Sequence, residues 1–238
     1  MTKELPLTKL KDIFSMIAPK ADFCSLRYES GGGEVISVRQ NVLQPFSRYR
    51  FAGAMITVIR NGGLGYGATS DISEQGLAEA AAKAATWADF CAGKGIIDFS
   101  AIPFASPKGT YKTPVKEDWE KVSLKEKIDL LIQVCEGLKK DDAIVDWETS
   151  LWQAKVRSIY LTSQGGEITQ DFCYVLPDIQ VTANKGIITQ NRSLGASAYA
   201  RQEGLEILDE VQFTEQGKQI AEEARELLSA PNCPSDTM

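Results

Sequence analysis

The sequence contains no histidine among its 238 residues. Imidazole is the usual base beside a serine or cysteine nucleophile and the commonest side-chain ligand of metal ions. Its absence excludes Ser-His-Asp and Cys-His catalytic arrangements, as well as every metal site that needs imidazole. We therefore expect this chain to supply no catalytic, cofactor-binding or metal-ligating residue.

The sequence also lacks a C-x-x-C pair, a net positive charge and long apolar runs. The five cysteines are irregularly spaced without a C-x-x-C pair, which argues against a disulfide framework and a thiolate zinc cluster. A net charge of −6 argues against a nucleic-acid or anionic-membrane surface. No apolar run has the length of a membrane span, and MTKELPLTKLKDIF lacks a signal-peptide core. We predict a cytoplasmic protein without nucleic-acid or membrane partners.

What the sequence does contain is organised around residues 51–91. Phe51–Ile59 is almost continuously apolar, which predicts a strand covered on both faces. Asn61-Gly62-Gly63 predicts a hairpin turn, and the alternation that follows predicts a returning strand. Ser73 is the expected N-cap of a helix. Its predicted apolar face consists of Leu77, Ala80, Ala81, Ala84, Trp87, Ala88 and Cys91.

A similar pattern recurs in the second half of the chain. Phe213–Gly217 matches Ile72–Gly76 type for type, and Ile179–Val181 echoes Ile56–Val58. Two helical faces with identical internal spacing precede these stretches: Leu10, Ile13, Phe14 and Ile17 in the first half, and Ile128, Leu131, Ile132 and Cys135 in the second. These matches predict a distant internal repeat, in which each half consists of a helix, several antiparallel strands and a second helix.

The predicted fold class is α+β, with two tandem antiparallel-sheet units flanked by helices. Gly31-Gly32-Gly33 is expected to turn the first sheet and Gln164-Gly165-Gly166 the second. The first unit is assigned to residues 1–98, a connector to 99–113 and the second unit to 114–238. PNCPSDTM, which ends the sequence, resembles the approach to a further domain.

Several residues are candidates for chemistry, but each has a structural explanation that we favour. Cys24 and Cys91 lie on apolar faces and are expected to be core residues. Gly63–Ala68 mimics the dinucleotide fingerprint G-x-G-x-x-A, but a strand rather than a helix follows it. The carboxylates are expected to be solvated, and they include Glu206, Asp209, Glu210, Asp141 and Asp142.

Two aromatic residues and two strands remain as candidate binding elements. Trp147 and Trp152 are predicted on opposite sides of one strand. Glu34–Gln40 or Arg157–Thr162 is hypothesised to lie at a sheet edge, where an extended peptide adds as a further strand. The alternative is that both strands are internal.

The stretch GGLGYGATSDISEQGLAEAAAKA, preceded by ADFCSLRYES and GEVISVRQNVLQPF, resembles the N-terminal region of the TldD/PmbA family, the modulators of gyrase. KGTYKTPVKEDWEKVSLKEKIDLL resembles the connector of that family. The resemblance spans the chain but only the N-terminal half of a typical member. It implies a zinc metallopeptidase, a hydrolase of unfolded or extended peptides, paired with a related subunit. The zinc site, an H-E-x-x-x-H helix with a distant cysteine other than Cys233, belongs to the C-terminal half.

The resemblance therefore predicts a non-catalytic N-terminal region of such a peptidase, contributing substrate enclosure and subunit contacts. Its implied partners are a peptide substrate, reached through the full-length protein, and a second subunit in a homodimer or heterodimer. One alternative is a free-standing interaction module of the same ancestry. Another is an enzyme that uses only carboxylates and cysteines. An H-E-x-x-x-H motif encoded soon after Met238 would distinguish the N-terminal region of a peptidase from the free-standing module.

Overall fold

The computed structural model describes residues 5–231, which form five α-helices and eight β-strands with short 3-10 helices between them. The α-helices are α1 (Leu7–Ile17), α2 (Glu74–Cys91), α3 (Leu124–Glu136), α4 (Ile207–Glu210) and α5 (Phe213–Glu226). The strands are β1 (Phe23–Arg39), β2 (Val42–Leu43), β3 (Ser47–Arg60), β4 (Gly63–Thr69), β5 (Lys108–Lys112), β6 (Ile144–Thr162), β7 (Glu167–Lys185) and β8 (Ile188–Ser193). The 3-10 helices are Phe99–Ala101, Trp119–Lys121, Ala196–Tyr199 and Leu227–Ser229.

One order of elements occurs twice along the chain. Helix, long strand, long strand, shorter strand and helix appear first as α1, β1, β3, β4 and α2, and then as α3, β6, β7, β8 and α5. The predicted α+β class, with antiparallel strands flanked by helices, is confirmed. A shared origin of the two halves stays a prediction.

The sheet has the strand order β4-β3-β1-β6-β7-β5, with β2 paired to β1 and β8 paired to β7. The hairpin β3–β4 is antiparallel, as is the pair β7–β8. Strand β5 lies in the predicted connector and pairs with β7 in parallel. Its five residues are all exposed, so no buried apolar positions mark it as a strand in the sequence.

Contacts divide the chain into two compact units, each built from segments that are separate in sequence. Among the described residues, unit 1 comprises 5–32, 50–112 and 155–172, and unit 2 comprises 33–49, 113–154 and 173–231. This division differs from the tandem ranges 1–98 and 114–238 in the assignment of 33–49 and 155–172. The physical reason is strand length: β1, β6 and β7 have 17 to 19 residues, so each has one end in each unit.

The predicted turn at Gly31-Gly32-Gly33 is wrong, because β1 runs straight through these residues. The glycines allow close packing instead. In unit 1, a Cβ on Gly31 would lie 2.3 Å from the carbonyl oxygen of Lys155 and 3.1 Å from the ring of Phe51. In unit 2, a Cβ on Gly33 would lie 2.4 Å from the carbonyl oxygen of Gln153. A side chain at either position would displace a neighbouring strand.

The core of unit 1 lies between one face of its sheet segments and helices α1 and α2. It contains Leu10, Ile13, Phe14, Cys24, Leu26, Tyr28, Ala54, Ile56, Val58, Leu77, Ala80, Ala81, Ala84, Ala88, Ile159 and Leu161. The expectation that Phe51–Ile59 is covered on both faces is wrong for Phe51 and Met55, although Ile59 on their side of the sheet is buried. Ile56 and Val58 are fully buried, whereas Phe51 and Met55 are exposed on the side without helices.

Helix α2 lies directly against the glycines of β4. Asn61 and Gly62 have positive φ angles of 50° and 75°, which confirms the predicted hairpin turn. A Cβ on Gly63, Gly65 or Gly67 would lie 2.0, 2.1 or 2.2 Å from the carbonyl oxygens of Ala88, Ala84 and Ala80 respectively. The glycines that mimic a dinucleotide motif therefore create room for a helix backbone.

The start of α2 is as predicted, and two residues of its predicted apolar face, Trp87 and Cys91, are not fully buried. The Ser73 hydroxyl accepts a hydrogen bond from the Gly76 N–H at 3.1 Å, which caps the helix. Leu77 and the alanines on the predicted face are buried. Trp87 is wrong for this face, since it is exposed and packs edge-on against Phe90.

Unit 2 has its own core beneath α3 and α5. The core contains Ile36, Val38, Trp119, Leu131, Val134, Cys135, Leu138, Ile144, Leu151, Val175, Ile179, Val181, Ala183, Leu194, Leu205, Ile207, Phe213, Ile220, Ala221, Ala224 and Leu228. Ser123 and Glu126 form a reciprocal capping box at the start of α3. The Trp119 indole N–H donates to Glu34 at 2.8 Å, which satisfies its buried polar atom.

Glu206 corrects the expectation that the acidic residues around it are solvated. Its side chain is buried and accepts hydrogen bonds from the backbone N–H groups of Lys116 (3.0 Å) and Glu117 (2.9 Å). Burial alone would raise the pKa of this carboxyl, but the backbone donors outweigh burial and lower its pKa to about 2. Glu206 thus holds the backbone of Lys116 and Glu117 in place, near the start of the 113–154 part of unit 2. Asp209 and Glu210 are exposed, as expected.

None of the helices within residues 5–231 is both long enough and apolar enough to cross a membrane.

The packing of α2 on β4 predicts a large effect from one methyl group. Gly65→Ala places a Cβ against the backbone of α2, which cannot move aside as a flexible side chain can. The substitution is therefore expected to lower the free energy of unfolding by about 1–3 kcal/mol. The control is Gly109→Ala on β5, where no atom lies within 4 Å of the added carbon. Urea denaturation of both variants measures the difference, and equal midpoints would contradict the packing.

The carboxylate of Glu206 predicts a pH-dependent stability. Because its folded pKa is lowered from 4.5 to about 2, its contribution is present above pH 4.5 and is lost as the pH falls from 4.5 towards 2. Glu206→Gln should lower the melting temperature at pH 7, and the difference from the unmodified chain should shrink across this window. The exposed Glu210→Gln serves as control, with a change within about 0.5 kcal/mol. A constant difference from pH 7 to pH 2 would contradict the role of the charge.

Candidate functional site

Both described α-helices of unit 1, α1 and α2, pack on one face of its sheet. Phe104 stacks on Phe23 at one part of the opposite face, and the exposed remainder of that face is the candidate functional site. We call it the open face and define it by Arg27, Phe51, Met55, Leu64, Tyr66 and Tyr160. The β3–β4 register pairs Met55 with Ala68 and Ile59 with Leu64, which places these residues opposite the side of the sheet that holds α2. Arg27 lies over the Tyr160 ring at 5.8 Å, between strands β1 and β6.

The side chains of the open face are large, and several are strongly exposed. Tyr66 has 63% and Phe51 41% of its surface exposed. The Phe51 ring lies beside Gly31 of the neighbouring strand, so a glycine supports an aromatic ring across the sheet. Aromatic and thioether side chains make contacts that tolerate many partners, and the guanidinium of Arg27 adds a positive charge. This surface is therefore suited to holding an apolar polypeptide segment without strict sequence selection.

Among the described residues, one edge of the open face is a strand that is paired on one side only. β4 pairs with β3 and stands at the end of the strand order, with Leu64 and Tyr66 pointing to the open face. The sequence carried a signal for this arrangement, since large residues alternate with glycines from Gly63 to Ala68. The signal predicts a strand with two different faces, but not which face lies under a helix.

The hypothesis that Glu34–Gln40 or Arg157–Thr162 forms a sheet edge is wrong. β1 lies between β3 and β6, and β6 lies between β1 and β7. The polar residues on β1 have another cause: in unit 2, Arg39 forms two hydrogen bonds to the Asp146 carboxylate, at 2.8 and 2.6 Å. A polar strand face thus reflects an ion pair on a face of the sheet rather than a peripheral position.

The cysteines are not placed to act as nucleophiles. Cys24 is fully buried, and burial raises the pKa of its thiol to about 11, so that the reactive thiolate is disfavoured at neutral pH. Burial also raises the pKa of Cys135. Cys91 is partly buried at the end of α2. Cys233 lies outside the described residues.

One of the two tryptophans and one residue of the acidic pair have structural contacts in unit 2. Trp147 packs against the core and donates its indole N–H to Asn41 at 3.2 Å, while Trp152 is half-buried on the same strand. Asp141 accepts a hydrogen bond from the Ala143 N–H and pairs with Arg225 at 2.6 Å. These contacts account for Trp147 and Asp141 without a bound ligand.

The described residues do not fit a zinc site. Zinc in a protein is held by imidazole, thiolate and carboxylate ligands that converge within about 2.0–2.3 Å of the ion. Within residues 5–231, no group of three or more histidine, cysteine, aspartate and glutamate side chains is arranged to hold a metal ion. The sequence has no histidine, and the buried thiols of Cys24 and Cys135 have raised pKa values.

Three solved structures share this fold. A candidate modulator of DNA gyrase from Thermotoga maritima has a TM-score of 0.71 and 17% identity, over 97% of this chain and 50% of that chain. TldE from Thermococcus kodakarensis has a TM-score of 0.63 and 16% identity, over 88% and 47%. A candidate modulator of DNA gyrase from Bacteroides thetaiotaomicron has a TM-score of 0.64 and 14% identity, over 95% and 50%. The chain thus spans about half the length of these proteins.

Family models match two stretches of the chain, each within one of the predicted ranges. Residues 24–88 match the model described as PmbA/TldA metallopeptidase domain 1, and residues 117–228 match the PmbA/TldA metallopeptidase central domain. No curated protein matches the chain significantly. Since the two models together cover most of the sequence, the chain belongs to the PmbA/TldD metallopeptidase family, of which it carries the first and central domains.

Proposed function

We propose that this chain is the non-catalytic N-terminal region of a TldD/PmbA-type zinc metallopeptidase that cleaves extended or unfolded peptides. The observation that carries the proposal is the match to domain 1 and the central domain, combined with a set of described residues that does not fit a zinc site. Zinc and the residues that activate water then belong to a C-terminal half outside this sequence. The role of this chain is to enclose the substrate and to contribute subunit contacts in a cytoplasmic homodimer or heterodimer.

The open face supports the enclosure role. An unfolded substrate exposes apolar side chains and has no fixed shape, so the surface that holds it needs adaptable apolar contacts rather than a deep specific pocket. Phe51, Met55, Leu64 and Tyr66 provide such contacts in unit 1. Because these side chains project from a sheet rather than from loops, they present the surface at little cost in ordering.

A free-standing interaction module of the same ancestry is the alternative. Each unit has its own buried core within the described residues, which favours a chain that is stable without a further domain. The reading frame after the codon for Met238 separates the two functions. An H-E-x-x-x-H motif downstream supports the peptidase, and a stop codon supports the module.

Binding of an unfolded polypeptide tests the open face. Fluorescein-labelled β-casein, titrated with the 238-residue chain and followed by anisotropy, should bind more weakly when Met55→Ala and Tyr66→Ala are combined. We expect the Kd to rise about tenfold, which corresponds to a loss of ~1.4 kcal/mol of binding free energy. The reason is that each substitution removes an apolar contact with the polypeptide. The matched control is Met16→Ala on α1, an exposed methionine outside the open face.

Two further measurements complete this experiment. Equal Kd values for the open-face variant and the unmodified chain would overturn the assignment of the open face. Zinc analysis after dialysis and a cleavage assay on the same samples test the non-catalytic role, because the chain is expected to retain no stoichiometric zinc and to leave β-casein intact. Chelator-sensitive cleavage by this chain alone would overturn that role.

A further inference from the structure

Unit 2 contains an open pocket of about 300 Å³ that has no part in the proposed function. It lies between the 3-10 helix Ala196–Tyr199 and the junction of α4 with α5. Its apolar wall consists of Tyr199, Ile207 and Val211. Ligand pockets in proteins have volumes of about 300–1,000 Å³ and mostly apolar linings, so this pocket has room for a small molecule with an apolar side chain.

The polar residues of the pocket carry one charge of each sign and two carboxamides. Arg201 supplies the positive charge and Glu210 the negative charge, and the carboxamides belong to Gln212 and Gln216. Within the described chain, no hydrogen bond engages the side chain of Gln212 or Gln216, and no carboxylate forms an ion pair with Arg201. The contact of Glu210 with the Lys116 ammonium is long, at 3.8 Å. These polar groups are therefore available to a ligand.

Local structure holds two of these residues in place. Nη1 of Arg201 donates to the carbonyl oxygens of Ala198 (3.0 Å) and Ala200 (3.1 Å), and the guanidinium carbon lies 6.0 Å from the centre of the Tyr199 ring. Nε and Nη2 of Arg201 have no partner among the described residues. Gln212 has φ 51° and ψ 50°, a left-handed conformation that is uncommon for a residue with a Cβ. Strained residues of this kind cluster at ligand-binding sites.

We propose that this pocket binds a small zwitterion, an apolar α-amino acid or dipeptide, with its carboxylate at Arg201 and its ammonium at Glu210. The carboxamides have both donors and acceptors for the polar groups of such a ligand. A zwitterion fits better than a phosphate, because Glu210 repels the dianion that Arg201 attracts. The site lies in unit 2 and depends neither on the open face nor on peptidase activity.

NMR titration of the isotope-labelled 238-residue chain with L-leucine and with glycyl-L-leucine tests the two sources of this chemistry. We expect a Kd on the order of 1 mM for the better ligand, because a molecule of this size makes few contacts. N-acetyl-L-leucine lacks the ammonium and L-leucinamide lacks the carboxylate, so each should bind about tenfold more weakly. Saturable shifts of the pocket residues with either zwitterion support the proposal, and the tighter of the two identifies the source.

Two charge variants assign the ends of the ligand. Glu210→Gln should raise the Kd of L-leucine about tenfold without weakening N-acetyl-L-leucine, because only L-leucine has an ammonium. Arg201→Gln should raise the Kd of L-leucine by a similar factor and leave that of L-leucinamide unchanged. The matched controls are Glu222→Gln on α5 and Arg50→Gln on β3, which are exposed residues outside the pocket.

Gln212→Gly separates binding from folding. Glycine adopts the left-handed conformation freely, so this variant should melt at a higher temperature than the unmodified chain. It also loses a carboxamide and should bind L-leucine about fivefold more weakly. The proposal is overturned if neither L-leucine nor glycyl-L-leucine gives saturable shifts, if inorganic phosphate binds more tightly than both, or if the charge variants weaken all ligands equally.

Discussion

The close contact between the backbone of α2 and the glycines of β4 is the constraint on which unit 1 depends. A Cβ at Gly65 would come within 2.1 Å of the Ala84 carbonyl oxygen, so both elements must be made of the smallest residues at this contact. This close approach brings the axis of α2 near the sheet. The opposite side of the helix does not contribute to the described core of unit 1. The same contact therefore sets the geometry of the core, and Trp87 and Phe90 are exposed on the other side of α2.

Strand length is the second constraint. β1, β6 and β7 are far longer than the usual strand of about six residues, and each takes part in both compact units. Gly31 and Gly33 allow β1 to pass close to its neighbours without a break. In unit 1 the described helices lie on one side of the sheet, and Phe51 and Tyr66 on the other side remain in contact with solvent.

Charged residues in this chain act mainly on structure. Glu206 holds two backbone N–H groups, and its low pKa follows from those donors rather than from a reactive environment. Arg39 and Asp146 form a bidentate pair on a strand, and Glu34 accepts the Trp119 indole N–H. A perturbed pKa often marks an active site, but the lowered pKa values of Glu206, Asp146 and Glu34 each follow from structural hydrogen-bond donors. Glu203 differs, because burial and the neighbouring carboxylates of Glu210 and Glu206 raise its pKa.

The sequence by itself determined the elements whose cause is local: the hairpin at Asn61-Gly62, the cap at Ser73, the small-residue face of α2 and the α+β class. Turn chemistry and periodicity within a few residues are sufficient for these features. Only the tertiary structure decided that β1 runs through Gly31 and Gly33, that β1 and β6 are internal, that Phe51 is exposed and that Glu206 is buried. Each of these depends on neighbours distant in sequence, such as Lys155 beside Gly31 or Lys116 beside Glu206, which no local pattern specifies.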